Sequence, residues 1–175
     1  MWSFAFGSLM SGGWEKRFLG HRVEGATLLG YRREFNKAST RNWGTVKNPG
    51  PTLGLAPTEG GMVIGVAFEF GDDREAEVMS YLRAREGASL VPEVRDILLP
   101  NIEQPIRAVV FIPKLQGAAY IGALPIAERA AMAKVARGTH GACEDYARSA
   151  QRQLRALGIH DSGIEDFVSA LDATR

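Results

Sequence analysis

The sequence predicts an α+β fold, a mixed sheet that is curled and flanked by helices, in a single domain spanning residues 1–175. Three observations lead there. The first two-thirds of the chain carries short apolar runs, some alternating with period two, and the last third changes to helical spacing. Clusters of glycine and proline punctuate the first part at strand-length intervals. A length of 175 residues with 45% apolar and 23% charged side chains has the composition of a soluble domain able to bury a substantial core.

Trp2, Phe4 and Phe6 alternate with small residues, the pattern of a half-buried first strand. The strand ends in the glycine-rich run Gly7-Ser8-Leu9-Met10-Ser11-Gly12-Gly13. Further strands are expected over about Ala26 to Phe35, Thr52 to Leu55, Met62 to Phe70 and Ile106 to Ile112, with breakers at Asn48-Pro49-Gly50-Pro51 and Glu59-Gly60-Gly61. A helix interrupts them. Asp72 serves as its N-cap with Glu75 completing a capping box, Val78, Met79 and Leu82 make its apolar face, and Gly87 stops it. Pro125 suits the first turn of a second helix reaching about Arg137, broken by Gly138-Thr139-His140-Gly141. A third runs from Ala142 to Leu157 with Cys143, Tyr146, Ala150, Leu154 and Leu157 on one side. A last helix after Ser162-Gly163 presents Ile164, Phe167, Val168 and Leu171.

With 21 basic and 20 acidic side chains the net charge is +1, so electrostatics give no case for a nucleic-acid or anionic-membrane partner. The basic stretch Arg32 to Lys47 reads as a solvated surface or as a loop for a small anion. A single cysteine, Cys143, cannot form an internal disulfide, and the apolar N-terminus lacks a basic region before it; both point to a cytoplasmic protein. No apolar run approaches the ~18–20 residues that a membrane helix needs. His21, His140 and His160 are scattered and neither HExxH nor paired CxxC occurs, so no metal site is expected. Cys143 lies on an apolar helix face and reads as core.

Glu86 stands out. It lies four residues beyond Leu82 and seven beyond Met79, so it continues the apolar face in the last turn, where the macrodipole disfavours a negative charge. Partial desolvation and the dipole both push a carboxyl pKa upward, which suits a group that moves protons near neutral pH. A frayed, solvent-facing glutamate paired with Arg83 or Arg85 fits the same position. The Gly7-Ser8-Leu9 turn is equally two-sided: its backbone N–H groups can form a nest for an anion, or it is only a turn. It has neither the Gly-Lys-Ser/Thr ending of a P-loop nor GxGxxG spacing.

Taken in order, the segments resemble the ChaC-like γ-glutamylcyclotransferases along nearly the whole chain. Met1 to Met10 is similar to that family's opening strand and YGSL loop, and Gly30-Tyr31-Arg32-Arg33-Glu34-Phe35 with Ser39-Thr40 to its second signature. Gly44-Thr45, Pro49-Gly50, Gly65-Val66-Ala67-Phe68, Tyr120-Ile121-Gly122 and Tyr146 fall in register, and Tyr81-Leu82-Arg83-Ala84-Arg85-Glu86 matches YLxxRE. Phe6 stands in place of the family's tyrosine, Ala5 in place of a glycine, and Gly87-Ala88-Ser89-Leu90 in place of a Lys-Gly-Tyr-like continuation.

The resemblance implies a small β-barrel with surrounding helices and a cyclisation in which the α-amine of a γ-glutamyl group attacks its own γ-carbonyl. The products are 5-oxoproline and a released amine, Cys-Gly when the substrate is glutathione, and no cofactor or metal takes part. It implies Glu86 as the general base and acid, and Phe6, Gly7, Ser8 and Leu9 at the substrate, the last three through backbone N–H groups. Tyr146 reads either as a hydrogen-bond donor to the substrate or as a core tyrosine. Other γ-glutamyl peptides or amides, and a non-catalytic binding module on the same fold, are the alternatives. Oligomeric state has no signature.

Overall fold

A computed structural model describes residues 1–174. Strand β1 (Trp2–Ala5) is followed by two short 3-10 turns, Ser8–Ser11 and Glu15–Phe18, and by two long strands, β2 (His21–Ser39) and β3 (Gly50–Glu69). Helix α1 (Glu75–Glu86), β4 (Leu90–Leu99) and β5 (Ile102–Pro113) come next. Then follow α2 (Ile126–Val135), the two-residue strands β6 (Arg137–Gly138) and β7 (Gly141–Ala142), α3 (Cys143–Ala156) and α4 (Ser162–Ala173). The chain packs as two compact units. One comprises Met1–Tyr31 and Pro57–Ile112, the other Arg32–Ala56 and everything from Pro113 onward, so β2 and β3 each contribute to both.

The first unit is built on a closed barrel in the order β1-β3-β2-β4-β5, closed by parallel pairing of β1 with β5 at Ser3–Val109 and Phe4–Val110. β1 also runs antiparallel to β3, with Ala5 opposite Val66. That pairing explains Gly65: a Cβ there would lie 2.3 Å from the Ala5 carbonyl oxygen and 2.7 Å from Phe4 Cζ. Phe4, Val66, Phe68, Ile97 and Val110 are essentially inaccessible, with Phe4 and Val110 on one face of the sheet and Val66 and Phe68 on the other. Outside the barrel α1 lays down Val78 and Leu82, both fully buried, while Met79 is half-buried.

The second unit is a three-helix pack on the remaining parts of β2 and β3. The α4 face expected from the sequence is the one buried: Ile164, Phe167, Val168 and Leu171. Each such side chain contributes roughly 1.5–3 kcal/mol of burial. Phe167 stacks on Phe35 with ring centroids 4.0 Å apart. Charges are buried here too. Arg33 is fully inaccessible and its Nη1 donates to Asp161 Oδ2 at 2.8 Å, and Arg129 Nη2 donates to Glu34 Oε1 at 2.9 Å and its Nη1 to the Phe35 carbonyl at 3.0 Å. Asp161 also caps α4, its Oδ1 accepting from the Ile164 N–H at 3.2 Å.

Several expectations give way. Glu59-Gly60-Gly61 does not break β3, because Gly60 takes a left-handed φ of 66° within the strand and pairing resumes beyond it. β4 was not expected at all; Pro92 and the charges Glu93, Arg95 and Asp96 give it a loop-like reading, although Leu90, Ile97 and Leu99 are buried. It turns into β5 through Pro100-Asn101, with Asn101 at φ 64°, a pairing of residues suited to a type II turn. Asp72 does not cap α1: Asp72–Arg74 form a 3-10 turn, and Asp72 Oδ1 lies 3.0 Å from the Met1 nitrogen instead. Leu157 falls past the end of α3 and is exposed. The stretch from Arg32 is not uniformly solvated, since Arg33 and Glu34 are internal ion-pair partners. Among the described residues no helix is long and apolar enough to cross a membrane.

Candidate active site

The candidate residues of the barrel unit lie on two elements, the loop that leaves β1 and the end of α1. Phe6 is buried where the strand ends, Gly7 and Ser8 come to the surface, and Leu9 and Met10 turn inward again as buried anchors. Ser8–Ser11 form a single 3-10 turn. The carbonyl groups from Gly7 to Met10 each accept a hydrogen bond. The Gly7 oxygen accepts from the Met10 N–H at 2.8 Å, and the Ser8 oxygen from Ser11 Oγ at 2.9 Å. The Leu9 oxygen accepts from the Gly12 N–H at 3.3 Å and Trp14 Nε1 at 3.1 Å, and the Met10 oxygen from Arg22 Nη1 at 2.5 Å.

The first amides of such a turn have no acceptor within the turn itself. Arg22 adds positive charge beside it. Its Nη2 is also bound to Glu24 Oε1 at 2.8 Å, and its guanidinium carbon lies 6.0 Å from the Phe68 ring centroid. Gly12 permits this approach, because a Cβ on it would meet Arg22 Nη1 at 2.6 Å.

Glu86 is the last residue of α1 and is half-buried. It follows Val78 and Leu82 at intervals of four, so the stripe that packs on the barrel ends in a carboxylate. Arg85 does not turn to it: Arg85 Nη1 donates to the Tyr81 hydroxyl at 2.8 Å. Gly87, at φ 74°, closes the helix with its N–H on the Arg83 carbonyl at 3.0 Å, as its place in the sequence predicts.

Tyr146 belongs to the helical unit. It is half-buried on α3, stacked on Trp43 at 4.9 Å and 28°, and edge-on to Phe35 at 6.2 Å. The Leu53 N–H donates to its hydroxyl oxygen at 3.3 Å. Cys143, on the same helix, is buried with Sγ 3.1 Å from the Pro51 carbonyl oxygen, and burial pushes its thiol up to about 12, with the nearby Glu144 charge adding to the shift. Such a thiol is not a nucleophile. Among the described residues no cluster of three or more His, Cys, Asp and Glu side chains is arranged to hold a metal ion.

Sequence reasoning missed Trp14 and Arg22. A tryptophan directly after Gly12-Gly13 is the signal that could have found the first. Nothing in the spacing of Met10 and Arg22 announces the second.

The geometry has clear relatives. The family described as ChaC-like protein matches residues 1–174. Gamma-glutamylcyclotransferase 2-3 of Arabidopsis thaliana is 27% identical over 176 residues, covering 97% of this chain and 87% of its own. Glutathione-specific gamma-glutamylcyclotransferase 1 of Rattus norvegicus is 28% identical over 176 residues, covering 98% and 78%. The crystal structure of a selenomethionine-labelled γ-glutamyl cyclotransferase specific to glutathione from yeast superposes with a TM-score of 0.86 at 20% identity, covering 100% of this chain and 96% of that one, and shows a shared fold. With a family match that runs from the first strand to the end of the last helix, this chain belongs to the ChaC-like proteins.

Proposed function

We propose that this protein is a glutathione-cleaving γ-glutamylcyclotransferase of the cytoplasm. The α-amine of the γ-glutamyl residue attacks the γ-carbonyl carbon, the γ-carbon–nitrogen bond to cysteine breaks, and 5-oxoproline and Cys-Gly leave. Atoms balance without water or a co-substrate. The α-ammonium must lose a proton before it attacks and the departing amine must gain one. One carboxylate can do both in turn, and Glu86 takes that role. The N–H groups of Gly7, Ser8 and Leu9 bind the substrate α-carboxylate or the oxyanion that develops on the γ-carbonyl oxygen. Because the nucleophile is tethered to its target, most of the acceleration comes from holding the folded-back conformer near attack distance. Phe6 supports the loop from the barrel side, and Tyr146 enters by resemblance as a hydrogen-bonding group for the substrate.

The observation that supports this reading best is the carboxylate ending the buried Val78–Leu82 stripe of α1 in a chain whose relatives carry the activity in their names. The test is 5-oxoproline release from glutathione, with γ-glutamyl-alanine in parallel. Glu86→Gln is expected to abolish release with an unchanged or slightly raised melting temperature, since functional carboxylates often cost stability. Tyr146→Phe is expected to lower turnover without unfolding. Substantial turnover by Glu86→Gln removes Glu86 from the mechanism, and release from γ-glutamyl-alanine alone keeps the chemistry and changes the substrate.

A further inference from the structure

Trp14 meets both elements that carry the proposed chemistry of the barrel unit. Its indole Nε1 donates to the Leu9 carbonyl at 3.1 Å, on the turn assigned to the substrate anion. Its ring lies nearly parallel to Tyr81, with centroids 5.5 Å apart and 15° between planes. Tyr81 is on α1, one turn before Arg85, whose Nη1 donates to the Tyr81 hydroxyl at 2.8 Å, and the helix ends at the next residue, Glu86. Phe68 at 4.8 Å and Phe70 at 5.5 Å pack against the indole from the barrel. Tryptophan offers a single N–H donor and a large flat face. Here the donor is spent on the loop and the face on the helix.

A loop that binds the substrate anion and a carboxylate that moves its proton must keep their separation to a fraction of an ångström. Elements that pack independently on a barrel have no direct restraint of that kind. Trp14 supplies one. Resting on the reading above, we propose that Trp14 is a positioning residue that fixes the Gly7–Leu9 loop relative to the helix bearing Glu86. It touches none of the reacting atoms; it acts through the Leu9 carbonyl on one side and the Tyr81 ring on the other. Trp14→Phe deletes the donor and keeps an aromatic face, and Tyr81→Leu deletes the stacking partner while leaving the indole bond in place.

The experiment measures kcat and KM for glutathione, together with amide hydrogen exchange at Met10 and Gly12, in the wild type, both single variants and the double variant. In Trp14→Phe, exchange at Met10 and Gly12 is expected to rise roughly tenfold, the scale of one lost hydrogen bond. Its kcat is expected to fall by roughly 10- to 100-fold, the scale of a sub-ångström to 1 Å misplacement, and by more than KM rises. Tyr81→Leu moves both readouts in the same direction, and the double variant is no worse than the more damaged single one, because both break one link. A folded Trp14→Phe with wild-type kcat and unchanged exchange overturns the proposal. So do effects on kcat that simply add in the double variant. Should Trp14→Phe fail to fold, Tyr81→Leu decides alone: loosening at Met10, which lies on the other element, upholds the link, and unchanged exchange there overturns it. The exchange arm also separates this inference from the reaction, since wild-type protein that releases no 5-oxoproline rejects the chemistry while Tyr81→Leu still reports on the link.

Discussion

Replacing Asp161 by asparagine is expected to destabilise the helical unit by about 3 kcal/mol, a value that follows from the two roles Asp161 combines. One oxygen caps α4 and the other neutralises Arg33, whose side chain is 0% exposed against 11% for Asp161. Asparagine is as good a cap as aspartate, so that role is kept and only the charge is removed. A unit-charge contact at 2.8 Å is worth about 6 kcal/mol at an effective dielectric constant of ~20, before the reorganisation that follows its loss. Burial already draws the Arg33 guanidinium below its usual pKa, and Asp161 is the group pulling it back up. Without the carboxylate only the desolvation remains. Arg33 has further interactions in the fold, which places the loss at the lower end of the ~3–5 kcal/mol range for breaking a buried pair. For a chain of this size that is a drop of roughly 6–12 °C in Tm. Urea unfolding followed by far-ultraviolet circular dichroism measures it directly. Asp161→Ala should lose about 1 kcal/mol more, the cap itself. If Asp161→Asn loses less than about 0.5 kcal/mol, in the range of an exposed pair, the buried ion pair is not a stabilising element and the reasoning fails.

Two further outcomes follow from particular contacts. Gly65→Ala places a methyl 2.3 Å from the Ala5 carbonyl oxygen, so β1 must shift off β3. The expected loss is about 1–3 kcal/mol, checked by denaturant unfolding, and a variant as stable as the wild type would show that the strands can part freely. Cys143 has a folded pKa of about 12 against an ordinary value of 9.0, so the unfolded chain loses this proton first. Its stabilising effect is full below pH 9.0 and is lost as pH rises towards 12. Cys143→Ala is therefore expected to flatten the alkaline fall in unfolding free energy, and an unchanged slope would assign that fall to other groups.

The sequence reading succeeded where one element's own periodicity decides its environment. Ile164, Phe167, Val168 and Leu171 needed no partner to be recognised as a buried face, and the half-buried position of Glu86 follows from counting four beyond Leu82. It failed where the partner is distant in the chain. Arg33 and Asp161 are 128 residues apart, and Arg129 and Glu34 are 95 apart, so their charges read as solvated until the fold brings them together. β4 was hidden for a related reason. Its most exposed residues, Val94, Asp96 and Leu98, include two apolar side chains, while Glu93 and Arg95 fall in step with the buried Ile97 and Leu99, so no clean polar–apolar alternation announces a strand. Family signatures found Gly65 but gave no reason for it, whereas the 2.3 Å approach to Ala5 does. The candidate site divides in the same way. The half-buried place of Glu86 was legible from helical spacing, while the contacts of Trp14 with Leu9 and Tyr81 have no signature in the chain.

The single buried cysteine has a bearing on how such an enzyme behaves inside a cell. Under the proposed reaction each turnover removes a molecule of the main thiol buffer, and the oxidants which that buffer held in check become free to attack protein thiolates. Oxidation and mixed-disulfide formation require the thiolate. Cys143, inaccessible and protonated up to about pH 12, presents none, and the chain has no other cysteine. The one thiol of this chain is therefore shielded from the oxidation that consumption of the pool would promote.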